Sequence, residues 1–73
     1  MIFALNKKEV MFKNLQKEMK EQHISNRDIA RAIGKDERSI SNKLSGRTDF
    51  TRIEMFTIRD TFFPETTLEY LFL

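Results

Sequence analysis

Apolar residues return at intervals of three and four along most of this chain, the period of a helix that buries one face. Phe12, Leu15 and Met19 make the first such stripe, with Lys13, Lys17, Lys20 and Glu21 on the other faces, and they predict a helix over residues 10–22. His23, Ile24 and Ser25 form a connection. Ile29 and Ile33 then lie four apart, with the small Ala30 on the same face, which predicts a helix over residues 26–33. A third helix over 36–45 buries Ile40 and Leu44. A fourth over 51–63 turns Met55, Ile58 and Phe62 inward, flanked by Ile53 and Phe56. A short fifth over 67–72 carries Leu68, Leu71 and Phe72.

The polar residues at the ends of these stripes sharpen the boundaries. Ser25 can cap the second helix by accepting from the N–H of Asp28, and Asp36 can cap the third. Thr51 with Glu54 has capping-box spacing, as does Thr66 with Glu69. Gly34 stands where the chain must turn sharply and a positive φ costs glycine little, the third helix stops near Gly46, and Pro64 ends the fourth helix. The pattern gives an all-α fold of five compactly packed helices, as a single domain over residues 10–73 behind a poorly specified N-terminal arm over 1–9. A small two-stranded pairing of residues 2–5 with 70–73 is a further expectation.

Residues 25–47 carry the chemistry. The third helix has a buried aliphatic seam, Ile40 and Leu44, and an outward row of Arg38, Ser41, Asn42 and Ser45. Such a helix suits a DNA major groove, where side chains of this kind meet base edges. The spacing Ala30, Gly34, Ile40, with Gly46 closing the second helix of the pair, resembles the helix-turn-helix of the Cro and phage-repressor (XRE-like) family. The likeness covers roughly residues 11–72 and is nearest to the short stand-alone regulators of Gram-positive phages and mobile elements. Lys35 departs from the small aliphatic usual at the turn, Asn26 from the usual Gln, and Leu44 falls one place later than the last buried position of many members.

The resemblance implies a lambda-repressor-like DNA-binding domain with a set of contacts by position. Glu37, Arg38, Ser41 and Asn42 would face base edges. Arg38 suits guanine O6 and N7, Asn42 suits adenine N6 and N7, and Ser41 is permissive. Glu37 can accept from cytosine N4 or simply favour the positive end of its helix. Phosphate positioning would fall to Asn26 and Arg27 at the start of the second helix, and to Lys43, Ser45, Arg47 and Thr48 around the end of the third. The expected function is sequence-specific binding of a double-stranded operator, repressing transcription by occupancy. One reading helix covers few base pairs, so a homodimer on a near-palindromic site is expected. Its candidate surfaces are the apolar tail, Tyr70 to Leu73, and the apolar arm, Ile2, Phe3 and Leu5.

Charge supports that reading through its distribution rather than its total. The net formal charge is only +2, but residues 1–47 hold 11 Lys+Arg against 6 Asp+Glu, and residues 48–73 hold 2 against 5. The acidic remainder would be repelled by phosphate and should face away from it. The 73 residues allow one small core, and the absence of cysteine removes disulfides and thiolate metal sites. A single histidine, His23, makes no metal cluster, so no metal or other cofactor is expected. No nucleophile–base set or phosphate-cradling glycine loop points to an enzyme, and no small-molecule substrate is evident. No apolar run approaches a membrane span, and MIFAL at residues 1–5 is too short for a secretory apolar region, so a cytoplasmic location is expected. The competing expectation is a protein-interaction module, such as an antitoxin or antirepressor, that uses the same polar face; acidic Asp36 and Glu37 at its tip favour it.

Overall fold

Caps and left-handed closures divide the chain into helices. The computed structural model describes residues 12–73. Through them run α1 (Lys13–Glu21), α2 (Asn26–Ile33), α3 (Glu37–Leu44), α4 (Arg52–Phe62) and α5 (Leu68–Phe72), with no strand among the described residues. α2 packs on α3 and α4, and α5 packs on α1 and α4. No helix among the described residues is long and apolar enough to cross a membrane.

Four of the helices have side-chain N-caps. Ser25 Oγ accepts from Asp28 N–H at 3.2 Å while the Asp28 carboxylate accepts from Ser25 N–H at 2.9 Å, a complete capping box. Asp36 accepts from Ser39 N–H at 2.8 Å. Thr51 and Glu54 close a second reciprocal box. At α5 the cap is Thr67, which accepts from Tyr70 N–H at 3.1 Å, so the expected Thr66–Glu69 pairing is displaced by one residue. α1 differs. Its N-cap, Phe12, has φ 52° and no side-chain capping hydrogen bond, so the first residue of the apolar stripe stands just before the helix, and residues 10 and 11 of the expected helix lie outside the described residues.

Three helices end in the same way. After α1, α2 and α3 a residue enters the left-handed region: His23 (φ 57°), Gly34 (φ 73°) and Gly46 (φ 87°). In each case the next N–H reaches back five residues to a carbonyl of the last turn: Ile24 to Met19 at 2.8 Å, Lys35 to Ala30 at 2.9 Å, and Arg47 to Asn42 at 2.9 Å. Glycine does this without steric penalty, whereas His23 does it with a Cβ in place.

The core is built from both halves of the chain. Leu15, Ile29, Ile40, Ile58 and Leu71 are almost fully enclosed, one from each helix. Beside them Phe12, Phe50 and Phe72 pack edge to face, with ring centroids 5.3, 5.4 and 6.1 Å apart. Phe12 thus reaches the core from the N-cap rather than from a helical stripe.

The C-terminal residues correct two expectations. Residues 70–72 are helical, not extended, and the other half of the expected pairing, residues 2–5, lies outside the described residues together with the rest of the arm. Leu71 and Phe72 are buried in this chain's own core, whereas Tyr70 and Leu73 remain exposed, so only part of the apolar tail is taken up by the monomer. Ile53 and Phe56, expected at the flank of the α4 stripe, are instead exposed.

Candidate nucleic-acid interface

The α2–turn–α3 unit is held rigidly from several directions. The turn of Gly34, Lys35 and Asp36 is fixed at one side by the bond from Lys35 N–H to Ala30 and at the other by the Asp36 cap. Ile29 and Ala30 of α2 and Ile40 and Leu44 of α3 point into the core. Lys35 is exposed, so its departure from a small apolar residue meets no steric obstacle.

What remains outward on α3 is the polar row. Arg38, Ser41 and Ser45 are exposed and Asn42 is half-buried. Arg38 and Asn42 are four apart and therefore adjacent on one face. Among the described residues the Arg38 and Arg47 guanidinium groups have no hydrogen-bond or ion-pair partner. The backbone behind the row is already satisfied: the Asn42 carbonyl accepts from Ser45 Oγ at 3.0 Å, Arg47 N–H at 2.9 Å and Thr48 N–H at 3.3 Å. The Ser45 hydroxyl is therefore engaged with the end of its own helix, while Arg47 and Thr48 project from a loop folded onto the last turn of α3.

Lys43 sits differently from the place expected of a phosphate contact. Its Nζ is 3.1 Å from Glu54 Oε1 on α4 and donates to the Asp49 carbonyl at 2.9 Å. The two side chains keep only 12% and 9% of their surface in water. Nζ also lies 5.8 Å from the centre of the Phe50 ring. Lys43 is thus an internal brace between α3 and α4 and is withdrawn from the outward row. Glu54 completes its own helix cap through the Thr51 N–H at 3.0 Å and takes the Lys43 charge on the same oxygen. Burial pushes its pKa up, but the Thr51 bond and Lys43 together outweigh burial and hold it below the ordinary carboxylate value.

At the other end of α3, Arg27 Nε–H donates to Glu37 Oε2 at 3.0 Å, linking the first turns of α2 and α3. Both side chains remain more than half exposed, so this pair can open to a ligand. Two further acids mark the same end. The Ser25 N–H and hydroxyl hold Asp28 below the ordinary carboxylate value, and the Ser39 N–H and hydroxyl do the same for Asp36. Asp36 and Glu37 thus put two carboxyl groups at the tip of α3, so an anionic partner would meet this helix along its side.

Of the ten residues expected at the interface, the structure gathers Arg38, Ser41, Asn42, Ser45, Arg47 and Thr48 around α3. Asn26 and Arg27 lie at the start of α2, Glu37 is paired with Arg27, and Lys43 is turned inward. No group of three or more metal-ligating side chains occurs among the described residues. No family model, curated protein or solved structure matches this chain.

Proposed function

We propose that this chain is a sequence-specific double-stranded DNA-binding regulator that acts by occupying an operator, with α2 and α3 as its helix-turn-helix and α3 as the reading helix. The observation that carries the reading is the Arg38–Asn42 pair. Two groups able to bond base edges bidentately stand side by side on a helix whose other face is buried and whose ends are both fixed. A base-reading group needs that rigidity, because loose side chains lose discrimination when they order. Arg27, Arg47 and Thr48 flank the row in positions suited to phosphate, and repression follows from steric exclusion without catalysis. A regulator of this kind would work in the cytoplasm of a bacterium or a phage-infected cell.

Few base pairs are covered by one such helix, so two copies on a near-palindromic site remain part of the proposal. Since Leu71 and Phe72 belong to the monomer core, the mate would be brought together by the DNA or by another surface.

A second reading draws on the Glu37–Arg27 pair and Asp36, which place negative charge at the tip of the same face. Under it, the face recognises a basic protein surface, as an antitoxin or antirepressor would. Selection of bound duplexes from a random pool by the purified protein separates the two. The first reading expects enrichment of a two-fold symmetric site with half-sites about one helical turn apart, and loss of preference at one position per half-site in Arg38→Ala and in Asn42→Ala. No enrichment, with no shift of duplex mobility at low salt, overturns it.

A further inference from the structure

α1 places Glu18 and its lysines on different sides, with the exposed Glu21 one turn after Lys17 at the edge of the lysine side. Asn14 and Glu18 face α5: Asn14 Nδ2 donates to the Tyr70 carbonyl at 2.8 Å, and the Tyr70 hydroxyl donates to Glu18 Oε2 at 3.1 Å. Lys13, Lys17 and Lys20 fall on another side, at spacings of four and three, and all three are exposed. They rim a shallow open groove of about 410 Å³ whose floor includes Met19 and Leu44 and whose far side includes Asn26. Among the described residues no acidic one lines it, and none of the three ammonium groups has an ion-pair or hydrogen-bond partner there. Asn26 opens α2, and the N–H groups of Asn26 and Arg27 have no acceptor among the described residues. Leu44 closes α3, so the groove abuts the ends of both helices of the proposed reading unit.

Three like charges lie within eight residues of helix, a span of about 10 Å. That is about one screening length at physiological salt, so they repel one another and are relieved together by an extended anion. A single phosphate is too short to meet all three. A nucleic-acid strand presents one charge per residue along a winding backbone, and three ammonium groups on long flexible stems can each meet one of them in succession.

We infer that the Lys13–Lys17–Lys20 side of α1, with the start of α2, is a docking surface for the sugar–phosphate backbone flanking the bases read by α3. This rests on the function proposed above and adds to it a sequence-blind clamp. Each phosphate contact contributes about 0.9 to the slope of log affinity against log salt. Three contacts therefore make affinity fall about 40-fold more steeply over a fourfold rise in salt.

The experiment compares the full chain with the triple variant Lys13→Gln, Lys17→Gln, Lys20→Gln and with the corresponding triple Lys→Arg variant. Each is titrated with the selected duplex and with a scrambled duplex from 50 to 200 mM salt, and circular dichroism checks the fold. The expected result is a salt dependence weakened by up to about 40-fold in the Gln variant for both duplexes alike. The ratio between duplexes should stay unchanged, and the Arg variant should retain the wild-type slope. If the Gln variant keeps the wild-type slope while the wild type binds duplex, the clamp is overturned and the reading function stands. If the wild type binds neither duplex, the function fails and the clamp with it. If it binds instead an acidic helical peptide through the groove, followed by amide shifts at residues 13–20, the assigned partner is wrong.

Discussion

The two ion pairs of α3 have the same chemistry and opposite consequences. Arg27–Glu37 at its start is 3.0 Å long and mostly in water, while Lys43–Glu54 at its end is 3.1 Å long and largely enclosed. Exposed pairs are screened and contribute little, so the first is free to exchange its partner for a ligand. An enclosed pair is different, because removing either member strands a charge away from water. α3, fixed at both ends through its backbone, therefore carries an enclosed side-chain pair at its C-terminal end and an exchangeable one at its N-terminal end. The difference teaches that a basic residue beside a reading helix is judged by what its charge already touches, not by its position along the sequence.

Breaking the enclosed pair should have the largest effect. Lys43→Met leaves the Glu54 carboxylate buried with only its cap bond, and the expected loss is about 3 kcal/mol. In a domain of this size that lowers Tm by roughly 12–24 °C. The double variant Lys43→Met, Glu54→Gln keeps an acceptor for the Thr51 N–H and removes both charges, so it should recover much of the loss. Thermal melts of the four members of this cycle measure the coupling. A Lys43→Met protein as stable as wild type, with a shallower salt dependence of DNA binding, would instead return Lys43 to the phosphate contacts.

Acid should act on the same brace. The folded Glu54 pKa lies below its ordinary value, so the folded state binds this proton less readily than the unfolded chain. The stabilisation is complete above the ordinary value of about 4.5 and is lost as pH falls through the folded value. Asp28 and Asp36, lowered by their cap bonds, act with the same sign. Melts between pH 6 and pH 2.5 should show a steep acid loss that is shallower in Glu54→Gln. An equal acid slope in both proteins would assign the loss to other carboxylates.

The left-handed closures give a smaller and cleaner contrast. At Gly34 a Cβ would meet no atom of the described residues beyond its chain neighbours within 4 Å, so Gly34→Ala tests the φ of 73° and should destabilise by about 1 kcal/mol. His23 already carries that strain at φ 57°, so His23→Gly should be neutral or stabilising, by at most about 1 kcal/mol. Opposite signs for the two substitutions in denaturant titration check the closures. A destabilised His23→Gly would mean that the imidazole contributes contacts that outweigh its backbone strain.

Local rules carried most of the fold. The caps of α2, α3 and α4 and the two glycine closures each depend on residues within a few positions, and they stand where the sequence pattern predicts them. What could not be read were relations across the chain. Glu54 looks like an ordinary capping acid, and Lys43 like an exposed basic residue of a reading helix. Their pairing spans eleven positions and needs the first turn of α4 to come back to the last turn of α3. Phe12 kept its place in the core but lost its place in the helix, because packing against Phe50 and Phe72 is compatible with an N-cap position. The lysine side of α1 was visible only as a solvated face until folding set Asn26 and Leu44 across from it. His23 gave no signal, since a histidine in a left-handed closure looks like any loop residue.

The smallest effect on stability should come from the exposed pair, and it sharpens the comparison from the functional side. Glu37→Gln removes a charge that is more than half in water, so the fold should change by less than about 1 kcal/mol. Arg27 is then released at the start of α2, and the tip of α3 loses one of its two negative charges. If Arg27 meets phosphate, both changes favour the complex. Affinity for specific and scrambled duplexes should then rise together, and the salt slope should steepen by up to about one unit. Glu37→Gln combined with Arg27→Ala should cancel the gain, which separates release of Arg27 from the simple loss of an acid. If specific affinity instead falls while scrambled affinity rises, Glu37 itself meets a base edge, a cytosine N4 being the group it can accept from. Fluorescence anisotropy at two salt concentrations, with both duplexes, distinguishes a partner that merely holds Arg27 from one that reads.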